Sequence, residues 1–236
     1  MIKLRKVFFI IFFVCGAIIF YFVGCALGRV VIIGKNMEIK DGGKVTILKG
    51  NSKIISDWNT ITAENIIYDR GKSVISSQGD VRFLLNSKNN ESEAIEGYGN
   101  FIRYNVNEKN GKIWGDTILK LKCFINDSSY PIILCAQEIY VDDNLKILKA
   151  HSNVEVMTSY GKICSDNAVF SRKESYAVFE KDKQRPVANV FHGGIRGICE
   201  ADRMGFYNLY DEKRIIMNGS VEVKIEIKEK KSDTQN

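Results

Sequence analysis

Proline is nearly absent from this chain of 236 residues, occurring only at Pro131 and Pro186. Proline cannot donate a ladder hydrogen bond and is confined to edges and turns. Both positions fall between strand candidates, so every other stretch is free to pair. Histidine is as scarce: His151 and His192 stand far apart, each beside turn residues, and read as solvated loop side chains. No Cys-x-x-Cys pair occurs, which speaks against a structural zinc site. No face concentrates Lys and Arg as a nucleic-acid groove requires. Asp69, Asp142 and Asp211 recur at the ends of strand candidates and read as turn formers, not as a carboxylate pair sharing a pocket. No catalytic residue, metal ligand or cofactor is therefore assigned, and the chain does not read as an enzyme.

Charge is missing altogether from Val7 to Gly28, and the run Val7 to Val14 is apolar on every face. About 20 such residues, rising 1.5 Å each, cross a hydrocarbon layer of roughly 30 Å as one helix. Lys3, Arg5 and Lys6 precede it, and a basic leader stays on the cytoplasmic side, so the remainder is expected outside the cytoplasm. Three fates are open for the segment. Its length, beyond the roughly 7–15 apolar residues of a signal peptide, favours a retained single-pass anchor. Val23-Gly24-Cys25 resembles the end of a bacterial lipoprotein signal, with Phe22 where Leu is preferred, which makes Cys25 a candidate lipidation site. Simple cleavage is the third. The expected division is an anchor over 1–28, a linker over 29–43, a folded domain over 44–228 and a charged flexible tail over 229–236. The leader supplies three of the net +6 charges, leaving the exported part mildly basic.

What the chain does have is a returning phrase. Ala63-Glu64-Asn65-Ile66-Ile67-Tyr68-Asp69 leads through Gly71-Lys72 to Gly79-Asp80-Val81-Arg82-Phe83. Tyr68 and Gly79-Asp80 recur 36 positions on as Tyr104 and Gly115-Asp116, and Ala63, Asp69 and Val81 recur 73 positions on as Ala136, Asp142 and Val154. Further units begin near Cys164 and Cys199, the first interrupted from Lys181 to Pro186. A fixed period of this size means one hairpin-sized unit stacked repeatedly, hence an all-β fold of antiparallel strands.

Within each unit the hydrophobicity alternates. Val221, Val223, Ile225 and Ile227 face one way and Glu222, Lys224, Glu226 and Lys228 the other, as on a strand with one wet face. Such a sheet folds over to bury its apolar face, leaving either a packed core or an elongated apolar trough. Phe83, Leu121, Val156, Phe170, Phe191 and Val223 are the candidate trough residues, with ordinary core packing as the other reading. Val221 to Ile227 is the candidate edge for a partner strand, and Lys44 to Ile55 the candidate edge at the opposite end. Cys135, Cys164 and Cys199 hold nearly one phase of the repeat, as small core residues or with one disulfide among them.

The Ala-x-x-x-x-Tyr-Asp, turn, Gly-x-Val-x-Phe order in Ala63 to Phe83, echoed from Ala201 to Val221, resembles the OstA-like periplasmic domain of the lipopolysaccharide-transport proteins. Pro186-Val187, Gly197-Ile198 and Ala201-Asp202 are similar to its second half, and the likeness covers roughly residues 44 to 227. The resemblance implies an open V-shaped β-jellyroll that carries lipopolysaccharide acyl chains and joins similar domains end to end. With an uncleaved helix it looks like the LptC type, seated at an inner-membrane ABC transporter and facing the periplasm, with an LptA-like protein as the downstream partner. The additional N-terminal strands and the loop Asn86 to Glu93 depart from that pattern. A soluble or lipidated LptA-like bridge, or a structural β-solenoid without ligand, are the alternatives.

Overall fold

The computed structural model describes residues 31–55, 59–87, 90–121, 132–142, 146–159, 161–171, 174, 176–192, 195–209 and 212–227. The strands are β1 (Val31–Ile33), β2 (Asn36–Lys40), β3 (Val45–Ile55), β4 (Asn59–Asp69), β5 (Val74–Ser87), β6 (Asn90–Asn105), β7 (Asn110–Leu121) and β8 (Ile132–Asp142). They continue as β9 (Ile147–Thr158), β10 (Gly161–Ser171), β11 (Tyr176–Glu180), β12 (Val187–His192), β13 (Ile195–Glu200), β14 (Arg203–Leu209), β15 (Glu212–Asn218) and β16 (Glu222–Ile227). All belong to one antiparallel sheet of 16 strands, and the only helical turn among the described residues is a 3-10 turn at Asp41–Gly43.

The pairing reduces to a simpler object. β3 to β10 are long strands that each pair with both neighbours on either side of a break in register near mid-strand. The other eight strands are the halves of four more such rungs. β2 and β1 pair with the two halves of β3, and β11 and β12 with the two halves of β10. β14 and β13 continue that layer, and β15 and β16 close it. Twelve rungs thus stack in chain order, and from β3 to β10 the breaks in register line up at one level.

The fold line has a local cause. Gly50-Asn51, Gly79-Asp80, Gly115-Asp116 and Ser152-Asn153 all have positive φ, at 77° and 48°, 80° and 41°, 84° and 50°, and 63° and 55°. Each pair stands opposite a single residue of the next strand, such as Glu64 opposite Gly50-Asn51. This is a two-against-one bulge built on left-handed residues, which bends the strand sharply. Glycine, asparagine and aspartate adopt that conformation at least cost. The repeated Gly-Asp of the sequence therefore does not open a second strand, as the phrase suggested; it folds one long strand in half.

Folding every rung at one level turns the sheet's apolar face upon itself. Cross-strand partners share a face, so the pairing traces continuous interior ladders. One runs Ile32, Ile54, Ile61, Phe83, Gly97, Leu119, Leu134, Val156, Ile163, Ala188, Cys199, Val223 across all twelve rungs. Another in the opposite arm includes Leu48, Ile66, Ser77, Ile102, Ile113, Ile139 and Ala150. Nearly all of these are buried, and since the described residues include no α-helix, the facing arm is what covers them among the described residues. Described strands pair only along the stacking order, so across the interior the two arms meet through side chains.

Three expectations differ from the structure. Residues 31–43 of the expected linker form β1, β2 and the 3-10 turn, because Val31, Ile32 and Ile33 supply an apolar register that β3 pairs with. Lys44 to Ile55 is consequently not an edge, since β3 is paired on both sides. The segment Asn86 to Glu93 carries the tip of the β5–β6 hairpin, with Ser87 opposite Asn90, rather than a free loop.

Gly97 marks a tight point of the interior: a Cβ there would lie 2.0 Å from Phe83 Cζ and 2.6 Å from Leu119 Cδ2, so the Phe83 ring lies across the glycine backbone. Gly97→Ala is expected to destabilise the fold by about 1–3 kcal/mol through overpacking. Gly197→Ala, where the nearest atom is 4.0 Å away, should change little. Urea unfolding of both variants measures the contrast, and equal midpoints would contradict the packing described.

Candidate functional site

The candidate site is the interior face and its two open ends. Phe83 and Val156 lie in the ladder traced above, Leu121 in the next row of the same arm, and Phe170 in the facing arm. All four are 1–3 % exposed, so at mid-stack the interior is filled by its own side chains. Phe170 meets Phe179 edge to face, with centroids 5.8 Å apart, and Phe179 meets Phe206 in the same way at 5.6 Å. Val223 continues the first ladder onto the last rung and is 46 % exposed, because no described strand covers that rung. Phe191 does not belong to this face. Its neighbour Val190 turns inward, and Phe191 points outward opposite Arg196, whose guanidinium lies 5.4 Å above the ring. The inward phase on β12 falls one residue from the expected position, on Val190.

Exposure concentrates at the ends. On the first rung Met37 and Ile39, which pair with Leu48 and Thr46 on the inner face, are exposed. On the last rung Ile215, Val223 and Ile225 are the corresponding inner residues, and Ile225 reaches 64 %. The apolar lining therefore emerges at both mouths. Among the described strands β16, with Val223 and Ile225, pairs only with β13, so no described strand occupies its other edge, and Val221 precedes it as an exposed residue. The backbone of Ile227 is paired with Ile195.

The last rungs are held by a polar clasp at the fold line that sequence reading missed. Arg185 donates to Glu200 at 2.8 Å, to Asp202 at 3.2 Å and to the Ser220 carbonyl at 2.6 Å, while Asp202 accepts the Ser220 N–H at 3.0 Å. The Ser220 N–H and then Arg185 hold the Asp202 carboxyl below its ordinary range. Nearby, Asp166 accepts three backbone N–H groups, those of Asp182, Lys183 and Gln184, and these hold its carboxyl low, Gln184 most strongly. The interruption from Lys181 to Pro186 thus crosses the fold line between β11 and β12 on a carboxylate anchor. A short run rich in charge beside a proline carried that signal, but its partners come from three other rungs.

The interior carries two polar atoms without partners among the described residues, the buried hydroxyls of Ser77 and Thr117. Ser52, by contrast, donates to the Glu64 carbonyl at 3.3 Å. On the outer face a shallow concavity of about 740 Å³ is lined by Arg103, Lys112, Trp114, Tyr140, Lys149 and His151 among others. Lys112 sits 5.6 Å and 4.9 Å from the centroids of the Trp114 and Tyr140 rings and bonds Glu138 at 2.8 Å. His151 lies on β9, not in a loop, with Nδ1 2.8 Å from Asn167 Oδ1. These groups satisfy one another and do not form a nucleophile and base.

Cys135, Cys164 and Cys199 are free thiols. Cys135 and Cys164 share the outer face but stand on either side of Glu155, and two strand spacings, roughly 10 Å, are too far for a disulfide. Cys199 lies on the inner face. Burial, and secondarily Glu155, pushes the Cys135 thiol up. Among the described residues no group of His, Cys, Asp and Glu could hold a metal, and no helix is long and apolar enough to cross a membrane. The apolar segment, Cys25, Asp211 and the tail lie outside the described residues.

No protein-family model matches the chain, and no curated protein matches it. Among solved structures it is similar to LptH, the LptA homologous periplasmic component of the conserved lipopolysaccharide transport device from Pseudomonas aeruginosa. The identity is 12 %, over 56 % of this chain and 95 % of that one, with a TM-score of 0.48.

Thr117→Val keeps the volume and removes an unpartnered buried hydroxyl, so it should stabilise the fold by about 1 kcal/mol in urea unfolding; a loss of stability would show that the hydroxyl is bonded. Asp166 is more acidic folded than unfolded, so its stabilisation is complete above about pH 3.9 and is lost as pH falls through the lower folded value. Amide exchange at residues 182–184, corrected for the intrinsic rate, should lose protection in that acid range while Ile66 keeps its own. Unchanged protection at 182–184 would sink the assignment.

Proposed function

We propose that this chain is a carrier of acyl chains in the bacterial cell envelope, a membrane-anchored periplasmic component of lipopolysaccharide export. One observation carries the reading: an apolar ladder runs through twelve rungs, about 50 Å at the usual strand spacing, and emerges uncovered at both ends. Each methylene moved from water into such a lining gains about 0.8 kcal/mol, without needing a positioned polar group. Successive rungs present similar side chains, so displacement along the ladder costs little. The closed mid-stack is compatible with carriage because, away from the fold line, the described arms meet through side chains alone. Parting them exposes apolar surface, which an acyl chain covers again, and breaks no ladder hydrogen bond.

The anchor is the uncharged segment to Gly28, retained in the inner membrane beside an ABC transporter that supplies the lipid. The open edge of β16 offers strand pairing to an LptA-like domain, which converts an aggregation hazard into assembly. Phe83, Leu121, Val156, Phe170 and Val223 line the path, and Phe191 is not part of it. The burial of Phe83 and Phe170 favours a second reading, a structural β-solenoid whose interior is permanently filled.

A photo-crosslinking phenylalanine analogue at Phe83 or Phe170 of the full chain, irradiated in cells, separates the two. Carriage gives an adduct with lipopolysaccharide at both positions and none from Ile67 on the outer face. A folded protein with no adduct at either interior position supports the solenoid.

A further inference from the structure

The exported part is unevenly charged. Residues 29–55, which hold β1, β2 and β3, carry Arg29, Lys35, Lys40, Lys44, Lys49 and Lys53 against Glu38 and Asp41, a net +4. The leader through residue 28 carries +3, so residues 56–236 carry −1 of the total of +6. Lys35, Lys40, Lys44 and Lys49 are exposed, and Lys40 pairs with Glu38 at 3.2 Å. The same end exposes apolar side chains on both faces of the first rung: Val31 and Ile33 outward, Met37 and Ile39 inward. The opposite mouth is as apolar but its sequence is balanced, for residues 212–227 carry Lys213, Arg214 and Lys224 against Glu212, Glu222 and Glu226.

The tether is short. The uncharged run ends at Gly28 and β1 begins at Val31. Three residue steps reach about 10 Å even when fully extended. We infer that the β1–β2 mouth docks on the bilayer surface, its lysines against anionic headgroups and Val31, Ile33, Met37 and Ile39 at the boundary between headgroups and acyl chains. This rests on the anchored reading above. Basic residues this close to a membrane are drawn to anionic lipid, and apolar side chains flanked by cations settle at the interface. Unpaired strand N–H and C=O groups cannot enter hydrocarbon, so the open edge of the first rung stops at the headgroup level, where water satisfies it. A lipid leaving the leaflet then meets the inner residues Met37 and Ile39 without crossing an aqueous gap. A strand of the exporter laid on the same edge is the competing occupant.

The test uses the full chain in vesicles of phosphatidylglycerol and phosphatidylcholine brominated high on the acyl chains. Trp58→Phe and Trp114→Phe remove both native tryptophans, and Met37→Trp or Ile225→Trp then reports on one mouth. Flotation establishes tethering, and circular dichroism establishes that both variants fold alike. Docking predicts quenching several-fold stronger at position 37 than at 225. It also predicts that Lys35→Glu, Lys44→Glu and Lys49→Glu together reduce that quenching without affecting flotation. Vesicles that float with both positions unquenched overturn the docking and leave the anchor standing, as expected if a protein strand covers the edge. Protein that does not float overturns the anchored reading and the docking with it. Quenching at 37 that is indifferent to the three Lys→Glu changes overturns the headgroup contact.

Discussion

A sheet with one apolar face and no helix among the described residues to cover it is buried against itself, and that constraint organises the described part of the molecule. It requires each rung to bend at the same height, and the left-handed pairs Gly50-Asn51, Gly79-Asp80, Gly115-Asp116 and Ser152-Asn153 set that height on every second strand, β3, β5, β7 and β9. Were one rung to bend a residue earlier, its side chains beyond the bend would face the wrong side, because the strand period is two. The bulges therefore hold the register of the ladders as well as their curvature.

The same constraint explains why the ends differ from the middle. Inner residues in mid-stack are covered by the facing arm and by rungs on both sides, and most are nearly inaccessible. The first and last rungs lack one neighbour among the described strands, so Met37 and Ile39 at one end and Ile215, Val223 and Ile225 at the other are exposed although they continue the same rows. Repetition by itself creates two apolar mouths. What distinguishes them is charge and attachment: one is cationic and close to the proposed anchor, the other is balanced and braced by the Arg185 clasp.

Much of this was legible from residues alone. Alternation placed Phe83, Leu121, Val156, Phe170 and Val223 on the inward face, because a side-chain period of two survives any bending between rungs. It failed at Phe191, where the Lys181 to Pro186 interruption uncouples the phase of β12 from that of β10, and only pairing restores it. The short runs Val31–Ile33 and Asn36–Lys40 were not recognisable as strands because each is half of a rung, and the halves acquire meaning only against β3. The clasp was invisible for a related reason: Arg185, Glu200, Asp202 and Ser220 are neighbours only across stacked rungs.

By itself the sequence determined the all-β class, the hairpin-sized period and which residues turn inward, since these follow from local alternation and from residues that tolerate positive φ. Only the tertiary structure decided that Gly-Asp folds a strand instead of starting one, that the middle is filled by side chains, and that the first rung precedes residue 44. Those outcomes depend on which strand lies beside which, and hydrogen bonding between residues far apart in the chain sets that choice.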